Sequence, residues 1–502
     1  QEWGIRLNGS FSDGDTELDG QSRQRQLLSA ALDYRNGGFK ASLDAYYTKE
    51  KFDGGSPAGM LFRNAALGVL KAPDATLGQF PAAYGAAENK AAILRTEYAF
   101  NDAVTAYANI GARRGKTAGF FTGTWVNVTG ADGAGTVSMT GQRMYENNVN
   151  TEAGLRFNFK TAGIGHALTV QASRLKMDYG YADSSNGGAT NIYDPAYVDM
   201  PALPGSALKW SDKTFDSLAL VDTLSLLDDR VLLTLGLRRQ NYQVVPTADG
   251  IESGGEVAYD KSVTTPAVGV VFKPWGPQLS LYASYVQGLS QGARISTDSG
   301  YARNHTFAPY KTKQLEAGVK WNAGSFTHTF AFFQITQPTL LTFTDASGGL
   351  DATDGGQKRV RGLEWNTFGE LARGVRVLGG AVYTQSIQTR TQGGTLDGYG
   401  TAGAPRWQAN LGLEWDVPGA PGLTLTGRVQ ASSRQWLNNN HTLQIPGWGV
   451  FDLGARYATR LFGRHAVLRL NVANVAGRSY YSGVFREGTP IATLGAPRTV
   501  TA

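Results

Sequence analysis

The sequence has no cysteine in its 502 residues, which excludes disulfide scaffolds, thiolate nucleophiles and cysteine-ligated metals. It also has no long apolar run. One of the longest, residues 218–227, is interrupted by Asp222, whereas a membrane-spanning helix needs roughly 20 apolar residues in succession. Gln1-Glu2-Trp3-Gly4 carries neither a charged n-region nor an apolar h-region, so no signal peptide is expected in this stretch. Histidine is scarce. His166, His305, His328, His441 and His465 fall into no H-E-x-x-H or paired spacing, so neither a metal centre nor an enzyme's catalytic cluster is expected. The net charge of +6 is dispersed, and Arg113-Arg114 and Arg238-Arg239 never grow into a basic tract, which argues against nucleic acid as a partner. No low-complexity linker or shift in composition divides the chain, so residues 1–502 read as one domain.

What the sequence has in abundance is period-2 alternation. Phe39, Ala41, Leu43, Ala45 and Tyr47 alternate with Lys40, Ser42, Asp44, Tyr46 and Thr48. Leu423, Leu425, Val429 and Ala431 alternate with Thr424, Thr426, Arg428 and Gln430. Side chains of a strand point alternately to opposite faces, so each such strand has one apolar and one polar face. The connections alternate too. Short ones fall at 35–37, 101–102, 161–165, 227–229, 274–277, 322–324, 371–374, 416–422 and 460–464. Long ones fall between them at 51–89, 118–143, 180–211, 246–262, 290–308 and 338–355. Short turns at one end and long loops at the other are the layout of a transmembrane antiparallel β-barrel, and the spacing predicts about 20 strands.

An aromatic residue sits just before most short turns: Tyr34, Phe100, Phe159, Phe272, Trp321, Trp365, Trp415 and Tyr457. Rings with an apolar body and a wet edge collect at a membrane–water interface, so this series is read as one aromatic girdle. The opposite phase carries charges of both signs, including Arg6, Asp44, Glu316, Glu364, Glu414, Arg428, Asp452 and Arg456. A dry core tolerates few such groups, so they imply a wet lumen or a polar filling. The long loops carry aromatics suited to ligand contact: Trp125, Tyr181, Trp210, Tyr301, Phe307, Tyr310 and Trp436. Arg294 and Arg303 are loop cations that would favour an anionic ligand.

Several segments resemble one known family. Tyr310-Lys311-Thr312-Lys313-Gln314-Leu315-Glu316-Ala317-Gly318-Val319-Lys320-Trp321 is similar to its P-x-K-S-x-Q-x-E-x-G-x-K strand. Arg359-Val360-Arg361-Gly362-Leu363-Glu364 resembles its R-x-x-G-x-E strand. Val450 to Tyr457, Leu470 to Val475 and Ser479-Tyr480-Tyr481 resemble its last full strands. The family is the TonB-dependent outer-membrane receptors, and the style is closest to the siderophore subgroup.

That resemblance implies a barrel of about 22 strands filled by an N-terminal plug. Neither the plug nor the TonB-contacting box is read in this chain, and the first hairpin and the end of the last strand are expected to lie outside it. The function implied is energy-coupled uptake of a ferric siderophore at the bacterial outer membrane. The loops would bind the ligand, the eight lumen charges named above would face the plug, and TonB would act through the plug. Iron would enter as cargo, so no cofactor is expected. The surroundings would be outer-membrane lipid and lipopolysaccharide. Cobalamin, heme, a nickel chelate or a glycan are alternative cargoes within the family. A passive porin is the alternative of another class, and its usual count of about 16 to 18 strands is lower than the one read here.

Overall fold

The structure is a computed structural model that describes residues 2–55, 59–120, 124–249, 258–290, 292–295, 301–487 and 489–502. Most of it is strand, and among the described residues no helix is long and apolar enough to cross a membrane. Among the described residues the main sheet holds 24 strands, of which four lie in the loops and 20 form the wall. Wall strands follow one another as antiparallel neighbours, from Glu2–Asp15 and Ser22–Asn36 to Arg464–Ala473 and Thr499–Thr501. Among the described residues, Glu2–Asp15 pairs on one side only, with Ser22–Asn36, and Thr499–Thr501 pairs only with Arg464–Ala473.

Most of the short turns are tight because residues at positive φ occupy them. Gly324, at φ 64°, joins Tyr310–Ala323 to Phe326–Thr344, and Gly463, at φ 76°, joins Trp448–Leu461 to Arg464–Ala473.

The two faces follow the alternation. In the strand Leu279–Ser290, Leu281 is exposed outward and lies in register with Val319. Ser284 is in register with Glu316, and the Tyr282 hydroxyl donates to Glu316 Oε1 at 2.9 Å on the other face. Of the eight aromatics of the expected girdle, all but Tyr34 are exposed outward, and Tyr34 packs on Trp3 with ring centroids 4.4 Å apart. The girdle takes in histidine as well. His166 stacks on Phe159 at 4.5 Å, and His328 lies among Trp321, Phe326, Phe330 and Trp365.

The loop side departs from the alternation in two ways. The connections expected at 118–143 and 180–211 are partly strand, because Ala134–Thr161 and Ile164–Asn191 stay paired for 28 residues each, from Thr161↔Ile164 up to Ala134↔Asn191. Likewise the ladder between Phe326–Thr344 and Leu350–Ala372 runs into the expected 338–355 loop. Where a hairpin rises into water both faces can be polar, so Ser184-Ser185-Asn186-Gly187-Gly188 stays extended without an apolar phase. The connections at 246–262 and 290–308 lie partly outside the described residues.

The loops also fold on one another. Tyr481–Arg486 pairs with Thr489–Leu494, and that strand pairs with Gly59–Phe62. Gly59–Phe62 runs parallel to Trp125–Val128, which joins the top of Ala134–Thr161. The layer closes over a dry core that includes Met60, Phe62, Phe80, Phe120, Val126, Met139, Ile192, Leu437, Leu443, Ile445, Tyr481 and Ala492. We call this assembly the cap.

Candidate functional site: the lumen and its mouth

All eight charged residues expected on the inward phase stand opposite the exposed apolar face. Arg6 and Asp44 flank the buried Ala31 in register, and Asp44 accepts from Arg95 Nη1 at 2.5 Å. Glu316 holds the Tyr282 hydroxyl and the Gln314 amide, and Glu364 follows on the same face beyond Gly318 and Ala331. Glu414 accepts from Arg376 Nε at 3.2 Å and lies 3.8 Å from Arg456. Arg428 is in register with Asp452 and donates to Asn410 Oδ1 at 2.8 Å, while Asp452 accepts from Gln430 and the Asn474 backbone. Asp44, Glu316, Glu414, Arg428, Asp452 and Arg456 therefore join small networks along the wall. Phe368 and Leu378 lie in register on this inward face and are 56% and 67% exposed, which leaves apolar surface inside the lumen.

The seven loop aromatics separate into groups. Tyr181 and Trp210 meet at 5.1 Å, edge to face, with Tyr179 6.2 Å from Trp210. Trp210 owes its place to a bulge between Lys209 and Ser211 that turns it toward the two tyrosines. The Tyr181 hydroxyl accepts from Gln142, and burial pushes its pKa up to about 12, so it stays a neutral phenol. Tyr301, Phe307 and Tyr310 come together around Ile295 and Ala352, with Phe307 and Tyr310 buried. Trp125 lies half-buried in the cap, paired with Gly59 and Ser138. Trp436 stacks on His441 at 4.2 Å, and Tyr399 covers the other ring face at 4.7 Å. Of the loop cations, Arg303 is committed to Asp351 at 3.0 Å.

An inward aromatic group was not singled out from the sequence. Phe215 stacks on Tyr242 at 4.2 Å, and Tyr242 touches Tyr259 at 5.3 Å. These residues lie on the same phase as Arg238 and Thr265, near the loop ends of their strands. The signal available was three aromatics on the polar phase of neighbouring strands, close to the long connections. Among the described residues, no group of three or more His, Asp or Glu is placed to hold a metal ion.

A family model described as TonB dependent receptor-like, beta-barrel matches residues 29–475. The ferrichrome receptor FcuA of Yersinia enterocolitica is 30% identical, over 99% of this chain and 66% of the receptor. The ferrichrome outer membrane transporter/phage receptor of Escherichia coli (strain K12) is 26% identical, over 67% of this chain and 46% of its own length. The chain thus spans about two thirds of the first relative and under half of the second. Among solved structures, BauA, the ferric preacinetobactin receptor of Acinetobacter baumannii, superposes with TM-score 0.89 at 31% identity, covering 99% of this chain and 74% of that one. The siderophore receptor PiuA of the same organism gives TM-score 0.80 at 18% identity over 99% of this chain, a likeness of fold.

Proposed function

The chain belongs to the TonB-dependent receptor-like β-barrel family, and from that premise we propose that it forms the wall and mouth of an outer-membrane receptor for a ferric siderophore. The observation that carries the reading is the pairing of an aromatic mouth with a charged, wet lumen in one barrel. A ligand of about a thousand daltons needs broad, rigid aromatic contacts for capture. Release through the lumen then needs a polar path that does not hold the complex. Tyr181, Trp210, Tyr301, Phe307, Tyr310, Trp125 and Trp436 are the proposed ligand-side aromatics. Phe307 and Tyr310 support the others from a packed loop core.

The lumen networks and the inward patch at Phe368 and Leu378 suit a folded partner that carries both polar and apolar surface. We assign that place to the protein's own N-terminal plug, with TonB acting through it. The single-sided edges of Glu2–Asp15 and Thr499–Thr501 suit further strands of the same protein, because an unpaired edge in lipid is prohibitively costly. Outward and above the apolar belt stand Lys49, Lys90, Arg114, Lys176, Arg239 and Arg361. Such a cationic band suits the phosphates of lipopolysaccharide and supports a reading with the loop side outward.

Growth under iron starvation tests the reading. The full-length protein is expressed in cells lacking their own siderophore receptors and supplied with a panel of ferric hydroxamates and catecholates. Rescue by at least one complex, lost when TonB is deleted, is expected. Rescue that persists without TonB would point to a passive pore. Failure with the whole panel in properly inserted protein would point to another cargo. Removing only the plug should leave a barrel that leaks small solutes in liposome swelling and takes up no siderophore with saturable high affinity.

A further inference from the structure

The inner face of the wall is not charged alike all the way round. Around much of it a cation meets an acid of the same face. Arg95 meets Asp44 at 2.5 Å, Arg156 meets Glu97 and Arg113 meets Glu146 at 2.9 Å, and Arg376 meets Asp416 at 2.7 Å. Four consecutive wall strands depart from this: Leu208–Leu226, Val231–Pro246, Tyr259–Phe272 and Leu279–Ser290. Their carboxylates are Asp212, Asp216, Asp222 and Asp260, and all four share the outward phase of Leu218, Leu220 and Val270. The first three are engaged there. Asp212 accepts from Lys209 at 2.9 Å, Asp216 accepts from Arg174 at 2.5 Å, and His166 Nδ1 lies 2.8 Å from Asp222. Lys213, Arg238 and Lys261 stand on the inward phase of the same strands, so this sector of the lumen carries charge of one sign.

The strip begins among the rings of the mouth. Phe215, Tyr242 and Lys261 form one row in register. Lys213 Nζ lies 5.7 Å from the centre of the Tyr179 ring, and Tyr179 is the neighbour of Trp210. Two rows lower, Ala219, Arg238 and Thr265 lie in register, roughly 13 Å below Tyr242 at ~3.3 Å per residue. Ala219 and Thr265 are buried while Arg238 is exposed, the pattern of an arginine whose stem lies over small neighbours and whose head stays in water. Beneath them the lining is small and uncharged. Val221, Gly236 and Ala267 form the next row, and Thr223, Thr234 and Gly269 the one after, with the two threonine hydroxyls 3.0 Å apart. These rows place neither a bulky side chain nor an acid in the way. A cleft lined by one sign of charge raises the local concentration of counter-ions, whereas the paired sectors on either side present little net sign.

We propose that this strip is the track along which an anionic ferric complex descends from the mouth into the lumen, with Lys261 as its upper and Arg238 as its lower anion-binding step. The proposal rests on the siderophore reading above and narrows it to cargo of net negative charge. Three hydroxamates cancel the charge of ferric iron and give an uncharged complex. Three catecholates bring twice that charge and leave a trianion. The track prefers the second kind. Tyr181, Trp210, Phe215 and Tyr242 hold the complex by its apolar and aromatic surface, and the two cations then draw its charge inward.

The absence of native cysteine makes the test direct. Gln240 lies on the inward phase between the two steps, in register with Ser217 and Val263. In the full-length protein in lipid, Gln240→Cys is reacted with a sulfonate-bearing and with a trimethylammonium-bearing methanethiosulfonate. The ratio of the two rates is taken relative to that of a free thiol in water. The ratio should favour the anionic reagent, and Arg238→Gln with Lys261→Gln should lower it about tenfold. A ratio unmoved by that pair, or a cysteine that neither reagent reaches, would overturn the track. In a second arm, cells take up radioiron as a ferric tris-catecholate or as a ferric trihydroxamate. Arg238→Glu should slow the trianionic complex about tenfold or more and the uncharged one less than about twofold, while Arg238→Lys keeps most of the rate. Equal slowing of both complexes would mean that Arg238 holds the plug or the fold, and would overturn the track. An unsubstituted protein that carries only the uncharged complex would overturn it too and leave the receptor reading standing. Uptake of neither complex by the unsubstituted protein, properly inserted, would count against the receptor reading and leave the first arm to decide the strip.

Discussion

In the cap, Phe62, Phe120 and Leu437 lose nearly all contact with solvent, whereas in the wall Leu218, Leu363 and Phe451 keep more than half of their surface exposed. Among the described residues, every large side chain that is fully buried lies in a loop or in a strand's rise above the wall. The cap is therefore organised like a small water-soluble protein, with apolar groups inside. The wall is inverted, with charges facing the lumen and leucines facing out. Its ladders satisfy the backbone, and only a bilayer satisfies its leucines. One chain thus answers to two solvents, and a substitution should act according to which of them the residue meets.

The largest expected effect is in the cap. Phe62→Ala removes a fully buried ring and should cost about 3–5 kcal/mol of cap stability. In intact cells the 59–62 and 481–494 segments should become sensitive to protease, while the barrel keeps its heat-modifiable migration on gels. Loss of the barrel together with the cap would show that the two regions fold as one unit.

In the wall, Leu281→Arg near mid-membrane should cost roughly 2–4 kcal/mol, and Ser280→Arg, on the lumen phase, much less. Refolding into lipid vesicles measures both. Equal costs would mean that the two faces do not differ in solvent. Trp210 and Tyr181 sit where wall becomes mouth. Alanine at a true anchor among the seven loop aromatics should weaken ferric-siderophore binding by at least ~2 kcal/mol. If the dissociation constant ignores all seven changes, these rings serve packing alone.

The smallest effect concerns pH. The Ala352 backbone N–H, and then Arg303, hold the Asp351 carboxyl below its ordinary range. A depressed folded value gives stabilisation that is present above the unfolded value and lost as pH falls through the folded one. The tie between the 301–310 loop and Asp351 should therefore persist at pH 5 and loosen only below about pH 4. Hydrogen exchange across 301–310 at pH 5 and pH 3 checks this, and Asp351→Asn should abolish the difference.

The wall was legible because strand parity is a local rule. Once Leu281 is placed outward, Ser280 and Tyr282 must face in, and a slip of one residue would reverse every neighbour. Turn residues and girdle aromatics then set the count and the direction of the strands. The cap was not legible. Gly59–Phe62 is a four-residue strand whose partners, Trp125–Val128 and Thr489–Leu494, come from distant loops, and nothing in four residues announces a partner near the other end of the chain. The candidate site was legible by half. Tyr181 and Trp210 stood out as loop aromatics, and the structure brings them together. Phe215, Tyr242 and Tyr259 did not, because an aromatic on the polar phase of a strand looks like ordinary alternation until the lumen gives that phase a use.

The ladder between Gly59–Phe62 and Thr489–Leu494 also has a meaning in time. Met60 is made long before Ala492, yet the two are neighbours in register. However early the wall strands assemble, the cap is finished only after the 481–494 segment has arrived. Until then Met60, Phe62 and Val126 lack part of the cover they have in the completed molecule. A chain stalled short of that step would present an apolar patch at its rim, the kind of surface that aggregates or is bound by chaperones. Completion of the cap thus marks that both distant segments have been made and joined.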